Sequence, residues 1–162
     1  MPKNRQSAYC WDTSVILAWL CEDETYPLND IDLVVREIER SSKSASSLLF
    51  SVTTVSELLD IIPGSDAQDS FQRFCERRNV RVANVDMGIA AKAAQIRTAA
   101  LATGRKLKTP DAQIIATAII YRADVLHTFD KKLLALSGTA TVDGLTIVSP
   151  RPWSGQQSLF TV

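Results

Sequence analysis

The sequence predicts an α/β fold: a three-layer α/β/α sandwich around a mostly parallel sheet of about five strands. Three observations carry that prediction. Short apolar runs alternate with longer amphipathic ones from residue 8 to residue 149. The short runs AYCWD and LLFSV are nearly continuous in hydrophobicity, as strands buried on both faces are. Capping and breaking residues, among them Asp86, Gly104 and the PGSD stretch, fall at the joints.

Taken in order, AYCWD, residues 8 to 12, reads as the first strand. TSVILAWL follows as a helix, broken by CEDETYPLND. In IDLVVREIER, residues 31 to 40, Ile31, Val34, Val35 and Ile38 share one face and the charges the other, which predicts an amphipathic helix. SSKSASS is a polar loop, too short to separate domains. LLFSV, residues 48 to 52, is a second buried strand, TTVSELLDII a helix that PGSD stops, SFQRFCERRN a further amphipathic helix, and VRVANV, residues 80 to 85, the third strand. Asp86 is placed to cap the long helix MGIAAKAAQIRTAALAT, which Gly104 ends. In KTPDAQIIATAII, residues 108 to 120, Thr109 is placed to cap a helix and Pro110 suits its first turn. ADVLHTF is the fourth strand, DKKLLAL a short helix and GLTIVS, residues 144 to 149, the fifth strand. PRPWSGQQSLFTV reads as an irregular tail. The expected organisation is one domain over residues 1 to 150 with a tail over 151 to 162, free of internal repeats and low-complexity tracts.

At 46% hydrophobic and 22% charged residues, the 162-residue chain has the composition of a soluble globular protein and not of a disordered one. Eighteen basic and eighteen acidic residues cancel, so a nucleic-acid partner has to be met by a local cluster and not by bulk attraction. Cys10, Cys21 and Cys75 form an odd, scattered set without CxxC spacing, which points to a reducing cytosol. No window approaches the roughly 18 apolar residues of a membrane span. Asp12 interrupts the early apolar run and no small-residue cleavage site follows, which argues against a signal peptide. His127 is the only histidine, so a multi-histidine metal site is excluded and the chemistry falls to carboxylates.

One of these carboxylates is out of place. Asp111 lies three and four residues before Ile114 and Ile115, on the apolar stripe that Ala118 and Ile119 continue. Ligand sites in open parallel sheets form at the carboxyl ends of the strands. Asp12 ends the first predicted strand, Asp130 follows the fourth, Glu57 lies about a turn into the helix after the second, and Asp111 opens the helix before the fourth. Each has a local explanation: Asp12 and Asp130 as helix caps, Asp111 as a partner of the helix dipole, Glu57 as a solvated residue, although Val55, Leu58 and Leu59 hem it in. Gathered at one edge, however, four carboxylates cannot all stay ionised without a cation. A hard divalent cation such as Mg²⁺ or Mn²⁺ prefers oxygen ligands, and one or two such ions can support in-line displacement at phosphorus.

In this order and spacing, Asp12 in WDTSVILAWL, Glu57 in SVTTVSELLD, Asp111 in TPDAQIIATAII and Asp130 in VLHTFDKKL resemble the four acidic motifs of the PIN-domain nucleases, and above all the small VapC-like toxins of toxin–antitoxin pairs. The helix VDMGIAAKAAQIR before the third motif fits as well, and the resemblance spans roughly residues 8 to 149. It implies a metal-dependent ribonuclease with a compact sandwich fold, with Asp12, Glu57, Asp111 and Asp130 as catalytic metal ligands and Thr13 and Thr128 as their polar neighbours. It further implies an RNA substrate, a homodimer, and a cognate antitoxin laid across the acidic groove. The chain departs from the pattern in DKKLLAL, where many relatives carry a further acidic or polar residue, and in its long segment over residues 22 to 47.

Arg105, Lys106 and Lys108 precede Asp111, and Lys131 and Lys132 follow Asp130. These five are the candidate substrate-binding charges, with solvated loop charges as the competing explanation. Arg77, Arg78 and Arg81 read as an ordinary helix end, Trp11 and Trp19 as core, and Trp153 as free to stack on a base. Two other readings stay open. A haloacid-dehalogenase-like phosphatase would use Asp12 as nucleophile, but it needs a second Asp where Ser14 stands. A PIN fold without catalysis would be a binding or scaffold module. Within the nuclease reading, DNA flaps and ribosomal RNA precursors are further substrate classes that the sequence does not separate.

Overall fold

The computed structural model describes residues 6–40, 46–62 and 64–153. In chain order the elements are β1 (Ala8–Trp11), α1 (Thr13–Leu20), α2 (Leu28–Glu39), β2 (Ser47–Ser51), α3 (Val52–Ile61), α4 (Ser65–Cys75), β3 (Val80–Ala83), α5 (Met87–Ala102), α6 (Thr109–Ile120), β4 (Val125–His127), α7 (Lys131–Leu134), a 3₁₀ turn (Ala140–Val142) and β5 (Ile147–Val148). The five strands form one sheet in the order β3-β2-β1-β4-β5, and every neighbouring pair is parallel. The α/β sandwich expected from the alternating pattern is the fold observed.

Strand alternation feeds two cores. Tyr9, Trp11, Leu48, Phe50, Val80 and Val125 point to one side, under α1, α2 and α4, where Ile31 and Val34 of α2 and Phe71 and Phe74 of α4 meet them. Cys10, Leu49, Ala83, Leu126 and Ile147 point to the other, under α5 and α6, against Ile89, Ile96, Ile114 and Ile115. Each large side chain buried this way contributes about 1.5–3 kcal/mol. The three cysteines are free thiols, and among the described residues no helix is long and apolar enough to cross a membrane.

Capping decides where the element boundaries differ from those expected. Asp12 lies outside β1: its backbone is extended and its side chain accepts the Thr13 N–H, so it is the N-cap of α1. Ser51 does the same for α3 through the Thr53 N–H, which draws Val52 out of the second strand. The helix expected over SFQRFCERRN begins earlier, at Ser65, because Gly64 turns the chain with φ +87°. It also ends earlier, at Cys75, with Phe71 and Phe74 as its buried stripe. Thr109 is not the cap of α6. Lys108 holds that position with extended backbone and no capping side chain, Thr109 is the first helical residue, and Pro110 occupies the first turn as expected. The third, fourth and fifth strands are shorter than their apolar runs.

The structure also corrects Trp153. Its N–H donates to Tyr9 Oη (2.7 Å), its carbonyl accepts from Ser7 Oγ (3.4 Å), and its indole packs against the α1–α4 core. It is therefore an anchored residue and not one free to stack on a base. Trp11 is fully buried and Trp19 packs on Phe74 at 4.6 Å, as expected of core residues. Most of the SSKSASS loop, Pro63 of PGSD and the tail beyond Trp153 lie outside the described residues.

Candidate metal centre

The chain builds β1, β2 and β3 outward in one direction, then returns to place β4 on the other side of β1. That reversal is the point in a parallel sheet where the carboxyl ends of adjacent strands leave a crevice. Trp11 pairs with His127 across it, and the Asp12 N–H donates to the His127 carbonyl (3.0 Å). Asp12 is thereby set beside the turn that carries Thr128 and Asp130.

Asp12 is only 5% exposed and is held by three donors. Oδ1 accepts the Thr13 N–H (2.8 Å), and Oδ2 accepts the hydroxyls of Ser14 (2.9 Å) and Thr128 (2.7 Å). A hydroxyl has one proton, so both oxygens are left as acceptors toward the β4–α7 turn. Ser14 Oγ takes the Phe129 N–H (3.1 Å) and Thr128 Oγ1 takes the Asp130 N–H (3.0 Å). Asp130 in turn caps α7 by accepting the Lys132 N–H on Oδ1 (2.7 Å). Thr13 Oγ1 donates to Glu57 Oε1 (2.8 Å), tying α1 to α3, and Thr53 Oγ1 donates to Gln113 Oε1 (2.8 Å), tying α3 to the start of α6.

Asp111 is different. It sits in the first turn of α6, half-buried, and among the described residues it has no hydrogen-bonding partner. Burial, followed by the negative charges of Asp12, Asp130 and Glu57, pushes its pKa up to about 6, with Lys108 opposing. The charges of the other three predicted acidic residues therefore all reach Asp111. Among the described residues, no three His, Cys, Asp or Glu side chains stand ready to hold a metal ion as they are. The donor set nonetheless fits a hard cation: it is all carboxylate oxygen, and its repulsion falls on the one member without a hydrogen-bonding partner among the described residues.

Thr13 Oγ1 and Thr128 Oγ1 both donate to carboxylates, of Glu57 and Asp12 respectively. Four of the five candidate cations, Arg105, Lys106, Lys131 and Lys132, line a common cavity of about 440 Å³. The fifth, Lys108, stands apart at the start of α6. Arg77 pairs with Glu39 and covers Phe74, and Arg81 covers Tyr121, so that cluster belongs to the surface of the fold. His127 is buried, accepts from Trp11 Nε1 (3.1 Å), and has its pKa lowered to about 3 by burial and by Arg151, so it is neutral near neutral pH.

Sequence reasoning missed Ser14, which is as well placed on Asp12 as Thr128; the signal was its position two residues after the aspartate. It also missed Gln113, and Tyr26, whose ring stacks on Phe129 at 4.4 Å beside Asp130.

The fold defines a class of protein. The chain matches the PIN domain over residues 9–138, and it belongs to that family. Its fold is similar to that of VapBC-1 from nontypeable Haemophilus influenzae, with a TM-score of 0.63 at 19% identity over 88% of this chain and 97% of that one. It is likewise similar to VapBC-5 from Mycobacterium tuberculosis, a member of the VapBC family of toxin-antitoxin systems, with a TM-score of 0.56 at 22% identity over 88% and 98%. A third similar structure is VapC20 of the same organism, a Sarcin-Ricin loop cleaving toxin, with a TM-score of 0.56 at 17% identity over 76% and 90%. No curated protein sequence matches the chain.

Proposed function

We propose that the protein is a divalent-cation-dependent endoribonuclease and the toxin of a toxin–antitoxin pair, with Mg²⁺ or Mn²⁺ held by Asp12, Glu57, Asp111 and Asp130. The observation that carries this reading is Asp111, a half-buried carboxylate with its pKa pushed up to about 6 by burial and by three neighbouring acids. A divalent cation held by these carboxylates would offset charge developing on the phosphoryl oxygens and help activate a water. The chain's own residues do the positioning. Ser14 and Thr128 orient Asp12, Thr13 orients Glu57, and the Thr53–Gln113 bond holds the start of α6 toward α3. Lys108, Lys131 and Lys132 offset the charge of an approaching phosphodiester.

RNA as substrate is supported by the likeness to a Sarcin-Ricin loop cleaving toxin, and a protein partner by the likeness to members of toxin-antitoxin systems. A cationic segment of a cognate antitoxin would complement the acidic crevice, and a homodimer belongs to the same reading. A second reading, a PIN fold that binds without cutting, is favoured by the absence of a ready-made metal cluster among the described residues.

Incubating a mixed single-stranded RNA with Mg²⁺ or Mn²⁺ tests the first reading, with wild type beside Asp111→Asn and an EDTA control. The expected result is cation-dependent cutting that the substitution abolishes. Two folded but equally inert proteins, with no cation binding in the millimolar range, would replace it with the binding module.

A further inference from the structure

The acidic crevice is a poor place to bring an RNA strand, because phosphates and carboxylates repel. Something beside it has to hold the strand, and the residues lining the cavity of Arg105, Lys106, Lys131 and Lys132 lie close in the chain to two of the four acids. Lys131 and Lys132 follow Asp130, and Arg105 and Lys106 lead into Lys108 and Asp111. All four cations are exposed. The floor between them is apolar, formed by Ala100 of α5, Leu107 of the following loop, and Ala135 and Leu136 after α7. At about 440 Å³ the cavity lies within the roughly 300–1,000 Å³ range of small-molecule sites.

The loop that forms one wall is tied down. Gly104, at φ +78°, lets the chain turn back at the end of α5, where the Arg105 N–H donates to the Ala100 carbonyl (2.9 Å). Arg97 Nε then donates to the Leu107 carbonyl (3.1 Å), so the wall stays in place before any ligand arrives.

Resting on the nuclease reading, we propose that this cavity is the subsite for one unpaired nucleotide flanking the phosphate to be cut. Its base lies on the apolar floor and its phosphates sit among the four cations. A basic rim alone would take any anion, and an apolar floor alone any hydrophobe; the two together fit a flat, weakly polar base carried on an anionic backbone. A base paired within a duplex cannot leave its stack to enter, so the subsite selects single strands and loops.

The test uses the full chain carrying Asp111→Asn in EDTA, so that binding is read without cutting. The anisotropy of a labelled mixed-sequence single strand is followed across a range of salt concentrations. Lys131→Gln with Lys132→Gln is expected to weaken binding and to flatten the salt dependence by about 1.4 in log–log slope, roughly 0.7 for each single-strand phosphate that is no longer neutralised. Ala135 is exposed at the end of α7 with helical backbone, so Ala135→Leu adds bulk to the floor without strain and without changing charge. It is expected to weaken RNA binding, to leave the salt slope unchanged, and to leave an abasic strand of equal length unaffected.

The proposal is overturned if folded variants, checked by circular dichroism, bind RNA as tightly as the parent. It is also overturned if Ala135→Leu weakens the abasic strand equally, if duplex binds as well as single strand, or if polyglutamate competes as well as RNA, which would mark the cavity as a seat for an acidic protein segment. Cleavage by the wild type with Mg²⁺ or Mn²⁺ is scored separately. RNA held in the cavity but never cut would sink the nuclease reading alone, and cutting indifferent to these variants would sink the subsite alone.

Discussion

The two walls of the acidic crevice are built in opposite ways. On the β1–β4 wall, Asp12 is buried and accepts hydrogen bonds from a backbone amide and two hydroxyls, each hydroxyl itself fixed by an amide of the next turn. On the α6 wall, Asp111 is half-buried without a hydrogen-bonding partner among the described residues, and three negative charges act on it against one positive charge, Lys108. The fold thus uses its local donors to orient one carboxylate and leaves the opposite one without a donor among the described residues, under net negative charge. Held donors give direction, whereas an unsatisfied anion gives affinity for a cation.

The sharpest way to break this contrast is to neutralise the bare wall. Asp111→Asn is expected to reduce cleavage of single-stranded RNA by more than the roughly 10–100-fold typical of a residue that only supports a metal ligand. Initial rates at saturating Mn²⁺ decide it, and a loss below tenfold would remove Asp111 from the centre of the chemistry.

The braced wall is expected to answer in stability. Thr128 is fully buried, and Thr128→Val keeps its shape while leaving Asp12 one donor short and the Asp130 N–H without its acceptor. A cost of about 1–3 kcal/mol is expected in urea unfolding. A negligible cost would mean that this hydroxyl network does not hold the wall.

The pH response should separate the walls next. The folded-state pKa of Asp111, about 6, lies above its ordinary value, so between about pH 4 and 6 the native state binds more protons there than the unfolded chain does. Its contribution therefore favours folding as pH falls from about 6 toward 4, and this advantage is lost as pH rises through 6. At a half-exposed position, screening reduces the effect to about 1 kcal/mol, or 2–4 °C in melting temperature. Melting curves in EDTA should show this slope in wild type and not in Asp111→Asn, and saturating Mn²⁺ should remove it by favouring the ionised form.

The smallest effect is expected away from both walls. Lys92 pairs with Asp143 on the surface, and Lys92→Ala should change stability by less than about 0.5 kcal/mol and leave cleavage unchanged. A large loss of activity there would show that the contrast between the walls is not the centre of the design.

Much of this was legible beforehand, for reasons that differ by residue. Asp86 was readable as a cap because the cap, its acceptor role and the helix lie within four residues, and it accepts the Ile89 N–H (2.9 Å) as expected. Asp111 was readable because a charge at the head of an apolar stripe conflicts with its own helix. Ser14 was not, since its value depends on Phe129 and Thr128, more than a hundred residues away. Trp153 was misjudged for the same reason: nothing near it in the chain reveals that Tyr9 will offer it an acceptor. The basic residues were legible as two separate runs, but not as the rim of one cavity.

Hydrophobic period, caps and turn formers act over a few residues, so the linear chain suffices to specify its helices, its buried strands and the four acids that punctuate them. The order β3-β2-β1-β4-β5 has no such local origin. It arises when faces far apart in the chain bury one another, and it alone sets Asp12 beside Asp130, aims Ser14 and Thr128 at the same oxygen, and leaves Asp111 facing three negative charges with no donor of its own.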